Sequence, residues 1–172
     1  MRIFNADGGE VEMCGNGLRC VVHHLSLPKE VRIETIHSVY KCKKIDEDSV
    51  SVEFTRPVID TEFINTGVPH KVIVVSDLEN IDPPTDNKHN VNFAHITPDK
   101  INIRTFERGV GETLACGTGA AAVALYAFEK HQMKNPIKVY VRSGDQLEFH
   151  IKEKTIEMIG PAQKVFEGEV IL

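Results

Sequence analysis

RIFNADGGEVEMCGNG at residues 2–17 and RTFERGVGETLACGTG at residues 104–119 are two copies of one pattern, aligned without a gap. The identical pairs are Arg2 and Arg104, Phe4 and Phe106, Gly9 and Gly111, Glu10 and Glu112, Cys14 and Cys116, Gly15 and Gly117, and Gly17 and Gly119. A repeat that keeps a cysteine and its flanking glycines predicts two equivalent units whose thiols face one pocket. The alternative is a duplication that preserves only a fold element.

Each copy predicts a strand, a glycine-bearing turn and a helix that begins at its cysteine. The first helix should stop at Pro28, and the second runs through GTGAAAVALYAFEKH;. The start of a helix has unpaired N–H groups and the positive end of the dipole, so we expect a lowered thiol pKa there. The adjacent glycines let the backbone approach a bound anion closely.

Two opposed thiols suit the inversion of a carbon centre. One thiolate removes a proton from one face, and one thiol delivers a proton to the other face. A substrate carboxylate that accepts hydrogen bonds from both helix N-termini would stabilise the carbanion-like transition state. This chemistry requires no pyridoxal phosphate, so we predict an enzyme without a cofactor.

The rest of the chain is rich in β-branched, alternating segments, which predict strands. These segments are 31–42, 49–54, 70–76, 101–106, 137–142, 146–152 and 155–159. Residues 142–147 predict a hairpin turn, and the polar stretch 79–92 predicts a long exposed loop;. Many strands with only two helices predict an α+β fold.

The composition excludes several classes of protein. The chain has 172 residues, 41% of them hydrophobic and 26% charged, with a net charge of −5, which argues against a nucleic-acid partner;. No apolar run approaches the roughly 20 residues that cross a bilayer, so we expect no membrane association. The first residues show no apolar signal-peptide core;. We therefore expect a cytoplasmic protein with four reduced cysteines.

At its motifs the chain resembles the diaminopimelate epimerases. The matching segments are FNADGGEVEMCGNGLRC at 4–20, FERGVGETLACGTGAAAVA at 106–124, GVPH at 67–70, VNFA at 91–94 and GPAQKVFEGEV at 160–170. The resemblance implies cofactor-independent interconversion of LL- and meso-2,6-diaminopimelate, for lysine and peptidoglycan synthesis. It implies a small amino-acid substrate and allows a homodimer.

The resemblance also implies a fold of two pseudo-symmetric β-rich lobes, each wrapped around a central helix. Residues 1–58 would form a partial N-terminal lobe, 59–160 a C-terminal lobe, and 161–172 a closing strand that returns to the N-terminal lobe. Members of the family begin with strands that complete the first lobe, whereas this chain starts at MRIFNADG. We therefore expect the first lobe to be incomplete, and the chain alone to be unstable or catalytically weak.

Site residues follow from the same resemblance. Cys14 and Cys116 are the implied acid and base. The implied substrate-binding residues are Gly15, Asn16, Gly117 and Thr118 at the reacting carboxylate, Asn5, Asn92 and Arg108 at the distal end, Glu107 at the amino groups, and His70 beside the reacting centre.

One departure from the family pattern bears on selectivity. The family usually has asparagine where this chain has Val68, so one distal polar contact to the substrate is absent or is supplied by another group. Two alternatives therefore stay open: a racemase of another amino acid with relaxed selectivity, and an inactive truncated homologue with a binding role. We expect no metal site, because the spacing of Cys14, Cys20, His23 and His24 is not a usual zinc pattern. Cys20 and Cys42 are expected to be buried.

Overall fold

The computed structural model describes residues 1–4, 8–25, 29–60, 62–85 and 88–169. Eleven strands and two helices occur in this part of the chain. In order they are α1 (Gly15–His24), β1 (Glu30–Glu34), β2 (Val39–Lys44), β3 (Ser49–Thr55), β4 (Ile64–Asn65), β5 (Pro69–Val74), β6 (Asn90–Ile96), β7 (Ile101–Glu107), β8 (Gly111–Thr113), α2 (Gly117–Lys130), β9 (Ile137–Tyr140), β10 (Gln146–Ile151) and β11 (Thr155–Pro161).

The strands form one mixed sheet. Its order is β1-β2-β3-β11-β10-β9-β7-β6-β5-β4, and β8 pairs with β7 outside this path. The β5–β6 and β7–β9 pairs are parallel, and the other pairs are antiparallel. The architecture is therefore a β-rich fold with two helices, as the sequence predicted.

Both helices pack against this sheet, and the pattern of their apolar residues explains how. In α1, Leu18 and Val22 are fully buried and the helix packs against β2 and β3. In α2, small residues surround the axis, and the buried set extends from Gly117 to Ala127. Because alanine side chains are short, α2 packs closely against β5, β6, β9 and β10;.

The central strands β10 and β11 show alternating burial of their side chains. In β10 and β11 every second residue is buried, which is the period expected when one face of a strand meets the core;. β11 lies between β3 and β10, so it joins the N-terminal strands to the rest of the sheet. The hairpin predicted at 142–147 is confirmed by the antiparallel pairing of β9 with β10.

Several sequence-based expectations require correction. Segment 31–42 is two paired strands rather than one, because the Thr35 hydroxyl group closes a turn at Ser38. The predicted loop 79–92 ends early, since β6 begins at Asn90. β11 ends at Pro161, and residues 162–169 carry no strand, although the amide of Ala162 donates to the carbonyl of Asp48. Cys42 is buried as expected, but Cys20 is exposed.

No helix in the described ranges is long and apolar enough to cross a membrane.

Candidate active site

The two copies of the sequence repeat share an ion pair and an aromatic contact ahead of their cysteines, although only the second copy forms paired strands among the described residues. Arg2 donates two hydrogen bonds to Glu10, at 2.9 and 3.0 Å, and its guanidinium carbon lies 4.9 Å from the ring centre of Phe4. In the second copy, Arg104 donates to Glu112 at 2.6 and 3.0 Å and lies 5.7 Å from the ring centre of Phe106. The identities therefore preserve an ion pair and an aromatic contact ahead of each cysteine.

Each cysteine is the N-cap residue of its helix. Cys14 has φ −140° and ψ 108°, and Cys116 has φ −131° and ψ 108°. The Cys14 sulfur accepts a hydrogen bond from the Gly17 amide at 3.3 Å, and the Cys116 sulfur accepts one from the Gly119 amide at 3.4 Å. The first-turn amides before these two have no acceptor within an α-helix, so they are available to an anion.

The two helix N-termini meet at Met158 of β11. A Cβ atom on Gly15 would lie 2.8 Å from the Met158 methyl carbon, and one on Gly117 would lie 3.3 Å from the Met158 sulfur. The Gly117 position is also 3.5 Å from Oδ1 of Asn16, across the junction between the helices. A side chain at either glycine would therefore displace the end of the Met158 side chain, which fills the space between the two helix starts.

The Cys116 thiol lies in a buried, anionic environment. It is 6% exposed, and burial, with a smaller contribution from the Glu107 carboxylate, raises its pKa to about 12. Hydrogen bonds from Thr118 and the Gly119 amide oppose this shift without cancelling it. The expectation that the helix N-terminus lowers the thiol pKa is therefore wrong for Cys116, because loss of hydration outweighs the helix donors. The Cys14 thiol, by contrast, is only half-buried.

A chain of hydrogen bonds leads from the sheet to the Cys116 sulfur. The Asn92 side-chain nitrogen lies 3.2 Å from the Lys71 carbonyl, which can only accept, and 3.1 Å from Nδ1 of His70. Nδ1 is therefore the acceptor, and the imidazole proton lies on Nε2. Nε2 donates to the Thr118 hydroxyl oxygen at 3.1 Å, and this hydroxyl group lies 3.3 Å from the Cys116 sulfur, to which it donates when Cys116 is a thiolate;.

His70 is a fixed donor in this chain and does not carry a charge. It is fully buried, and burial lowers its pKa to about 4, so the ring is neutral at pH 7;. Its donation through Thr118 stabilises a thiolate on Cys116 whenever one forms.

Asn92 does not have the position that the sequence suggested. It is 0% exposed; its nitrogen donates to His70 and Lys71, and its oxygen accepts from Thr105 at 3.0 Å. α2 covers it closely, since a Cβ on Gly119 would lie 2.3 Å from Oδ1. Asn92 therefore orients His70 and cannot reach a substrate.

Sequence reasoning missed Asn90, two residues earlier on β6. Asn90 is half-buried, and its side-chain oxygen accepts from the Arg108 amide at 2.8 Å. Because side chains alternate along a strand, Asn90 and Asn92 lie on the same face of β6. Asn90 is the first residue of β6, so α2 buries Asn92 and leaves Asn90 partly exposed. The spacing of two residues between these asparagines was the sequence signal that could have identified Asn90.

Two of the remaining predicted site residues, Glu107 and Arg108, are adjacent but differ in exposure. Glu107 accepts from the Thr113 hydroxyl at 2.8 Å on the Cys116 side, while the Arg108 side chain is exposed. Asn5 lies outside the described residues. Within those residues, no group of three His, Cys, Asp or Glu side chains is arranged to hold a metal ion.

The family model and the similar proteins of known name agree on one family. Residues 62–165 match the family model for diaminopimelate epimerase. The chain is 35% identical to a diaminopimelate epimerase from Nitrosospira multiformis, over 99% of this chain and 77% of that protein. It is 38% identical to one from Aquifex aeolicus, over 97% of this chain and 72% of that protein.

Solved structures support the fold. A phenazine biosynthesis PhzC/PhzF protein from Clostridium difficile superposes with a TM-score of 0.74 at 12% identity, covering 99% of this chain and 78% of that one. A PhzF-family protein from Enterococcus faecalis gives 0.72 at 18% identity, covering 99% and 77%. At such low identity these two structures show a shared fold and nothing about activity.

Proposed function

Because this chain belongs to the diaminopimelate epimerase family, we propose that it inverts the α-carbon of LL-2,6-diaminopimelate to give the meso form. The observation that carries the proposal is the pair of cysteine N-caps, alike in backbone conformation and in their amide-to-sulfur hydrogen bonds, on two helices that meet at Met158. One substrate carboxylate at that junction would be within the field of both helix N-termini.

The two thiols divide the chemistry by their environments. Burial keeps the Cys116 thiol protonated in the resting protein, and we assign the half-buried Cys14 as the base toward a substrate whose α-hydrogen faces it;. Cys14 takes that proton, the carbanion charge spreads into the carboxylate, and Cys116 delivers its proton to the opposite face. In the reverse reaction the roles exchange, and the Thr118 hydroxyl stabilises the Cys116 thiolate.

Backbone amides supply the stabilisation of the carbanion. First-turn N–H groups at Gly15, Asn16, Gly117 and Thr118 donate to the carboxylate as its negative charge grows. Glu107 binds the amino groups, and Arg108 takes the distal carboxylate with Asn90 beside it in place of Asn92;. The reaction needs no cofactor, since each proton movement is assigned to a thiol.

We infer that the sheet divides into two lobes around the two helices. The described residues within 1–58 pack around α1 and those within 59–160 around α2, and the segment that begins at 161 returns to the N-terminal lobe, where the Ala162 amide donates to the Asp48 carbonyl. The packing of α1 on β2 and β3, and of α2 on β5, β6, β9 and β10, supports this division. Since both thiols must stay reduced, a cytoplasmic location suits the enzyme. A homodimer is compatible with these lobes.

A second candidate function is racemisation of another amino acid with relaxed selectivity. Val68 favours it, because this half-buried residue offers no polar side-chain contact and its carbonyl already accepts from the Thr66 amide at 3.2 Å. A site with one fewer polar group that must hydrogen-bond to the substrate discriminates less against analogues.

Formation of meso-diaminopimelate from the LL isomer under reducing conditions tests the proposal. Cys14→Ala and Cys116→Ala should each abolish turnover, while Cys20→Ala, which removes an exposed thiol from α1, should retain it. Turnover that survives loss of either N-cap cysteine would refute the two-thiol mechanism. A parallel assay of shorter amino acids decides between the two candidates.

A further inference from the structure

Arg19 is a buried cation that the proposed mechanism does not use. It is 5% exposed and lies on α1, one helical turn after Asn16;. Its guanidinium donates to Oδ1 of Asn16 at 3.1 Å, to the Pro161 carbonyl at 3.2 Å and to the Met158 sulfur at 3.6 Å. Among the described residues, no carboxylate accepts a hydrogen bond from it. Burying a cation without a directly bonded carboxylate is costly, which points to a specific role for Arg19.

The surrounding backbone is shaped around this guanidinium. A Cβ on Gly160 would lie 3.1 Å from Arg19 Nε and 2.4 Å from a methyl carbon of Leu147. Any side chain there would displace the guanidinium or the core. The guanidinium is therefore held from two sides, by α1 and by the end of β11.

Donation by Arg19 determines how the Asn16 amide is oriented. A guanidinium has only donors, so the group that faces it must be the Asn16 oxygen;. The Asn16 nitrogen consequently points away from Arg19 and is left as a donor for another acceptor. Without Arg19, the amide could turn over and present its oxygen to an incoming anion.

We propose that Arg19 is a positioning residue, which holds the Asn16 amide with its nitrogen directed to the substrate carboxylate and ties the start of α1 to β11. The inference rests on the proposed function, because it assigns Asn16 to the carboxylate. Burial lowers the pKa of Arg19, and its neighbours Cys20, Cys14 and Asp145 act in the opposite direction; a guanidinium stays cationic in proteins.

A double-mutant cycle distinguishes this role from simple support of the fold. Arg19→Lys keeps the positive charge but loses the planar guanidinium group with its several N–H donors. It should lower kcat/KM for epimerisation by about 10- to 100-fold, because the Asn16 amide would no longer be held as a donor to the substrate carboxylate. In an Asn16→Ala background the same change should cost less than about 2-fold, because its target is gone. Arg56→Lys, which alters an arginine bound to Glu129 and the Lys152 carbonyl, is the matched control and should leave kcat/KM unchanged. A full loss that persists in the Asn16→Ala background would overturn the proposal.

A second readout does not depend on turnover. In nitrogen-15 NMR, the Asn16 side-chain amide should shift or broaden in Arg19→Lys, while the exposed Asn80 amide should not change. An unchanged Asn16 signal would refute the positioning role even if epimerisation is observed. Absence of epimerisation in the unaltered protein, with the NMR change present, would refute the proposed function and leave the Arg19–Asn16 interaction standing.

Discussion

Replacing Thr118 with valine removes the hydroxyl group that joins His70 to Cys116 and preserves the shape of the side chain. The hydroxyl oxygen accepts from His70 at 3.1 Å and lies 3.3 Å from the Cys116 sulfur, so the hydroxyl group can donate to a Cys116 thiolate. A hydrogen bond to a charged group contributes about 1.5 to 3 kcal/mol. Because about 1.4 kcal/mol corresponds to a factor of ten, Thr118→Val should reduce kcat/KM about 10- to 100-fold.

The same change leaves a buried donor on His70 without an acceptor. We expect a loss of about 1 to 3 kcal/mol in the free energy of unfolding, measured by urea denaturation. Thr118→Ser is the matched control, since it keeps the hydroxyl group, and it should retain both activity and stability. If Thr118→Val and Thr118→Ser have equal kcat/KM, the hydroxyl group does not act on the Cys116 thiolate and the inferred proton arrangement is wrong.

Three further predictions concern the thiols, the α2 glycine and the repeated ion pair. Iodoacetamide should label Cys14 much faster than Cys116 at pH 8, because burial raises the pKa of Cys116 to about 12; equal rates by peptide mass spectrometry would contradict this;. Gly119→Ala should destabilise the fold by about 1 to 3 kcal/mol, because its methyl group would lie 2.3 Å from a buried amide oxygen, whereas Gly168→Ala meets nothing within 4 Å and should be neutral in urea denaturation;. The pKa of Glu112 is lowered from 4.5 to about 2, chiefly by Arg104 and also by Arg142, so the Arg104–Glu112 pair stabilises the folded state above pH 4.5 and loses this contribution as the pH falls toward 2;. Glu112→Gln should therefore lower the thermal midpoint at pH 7 but not at pH 2, and an equal deficit at both pH values would count against the pair.

The helices and their cysteine caps were predictable because the signals are local. Each copy of the repeat has a helix that begins directly after its cysteine, as the sequence predicted, and in both copies the repeated Arg and Glu form an ion pair. The run GTGAAAVALYAFEKH after Cys116 likewise predicted a helix, and α2 forms there.

Features set by packing between distant segments could not be predicted in the same way. The raised pKa of Cys116 results from burial and from Glu107, which outweigh the local helix donors. Asn92 is polar, but neighbouring strands satisfy its amide, so it lies in the core. The Arg19 contacts join α1 to β11, and no spacing in the sequence reveals a pairing over that distance.

The distribution of deuterium early in the reaction tests the central claim most directly. The LL isomer is converted in D₂O under reducing conditions, and deuterium at the α-carbon is measured by mass spectrometry at low conversion, in product and recovered substrate separately. Two thiols on opposite faces predict deuterium in the meso product and almost none in the recovered LL isomer, because the proton taken by one thiol is not the one returned by the other. Deuterium in both species from the start would show that a single base serves both faces, and the assignment of Cys14 and Cys116 as an opposed pair would be wrong.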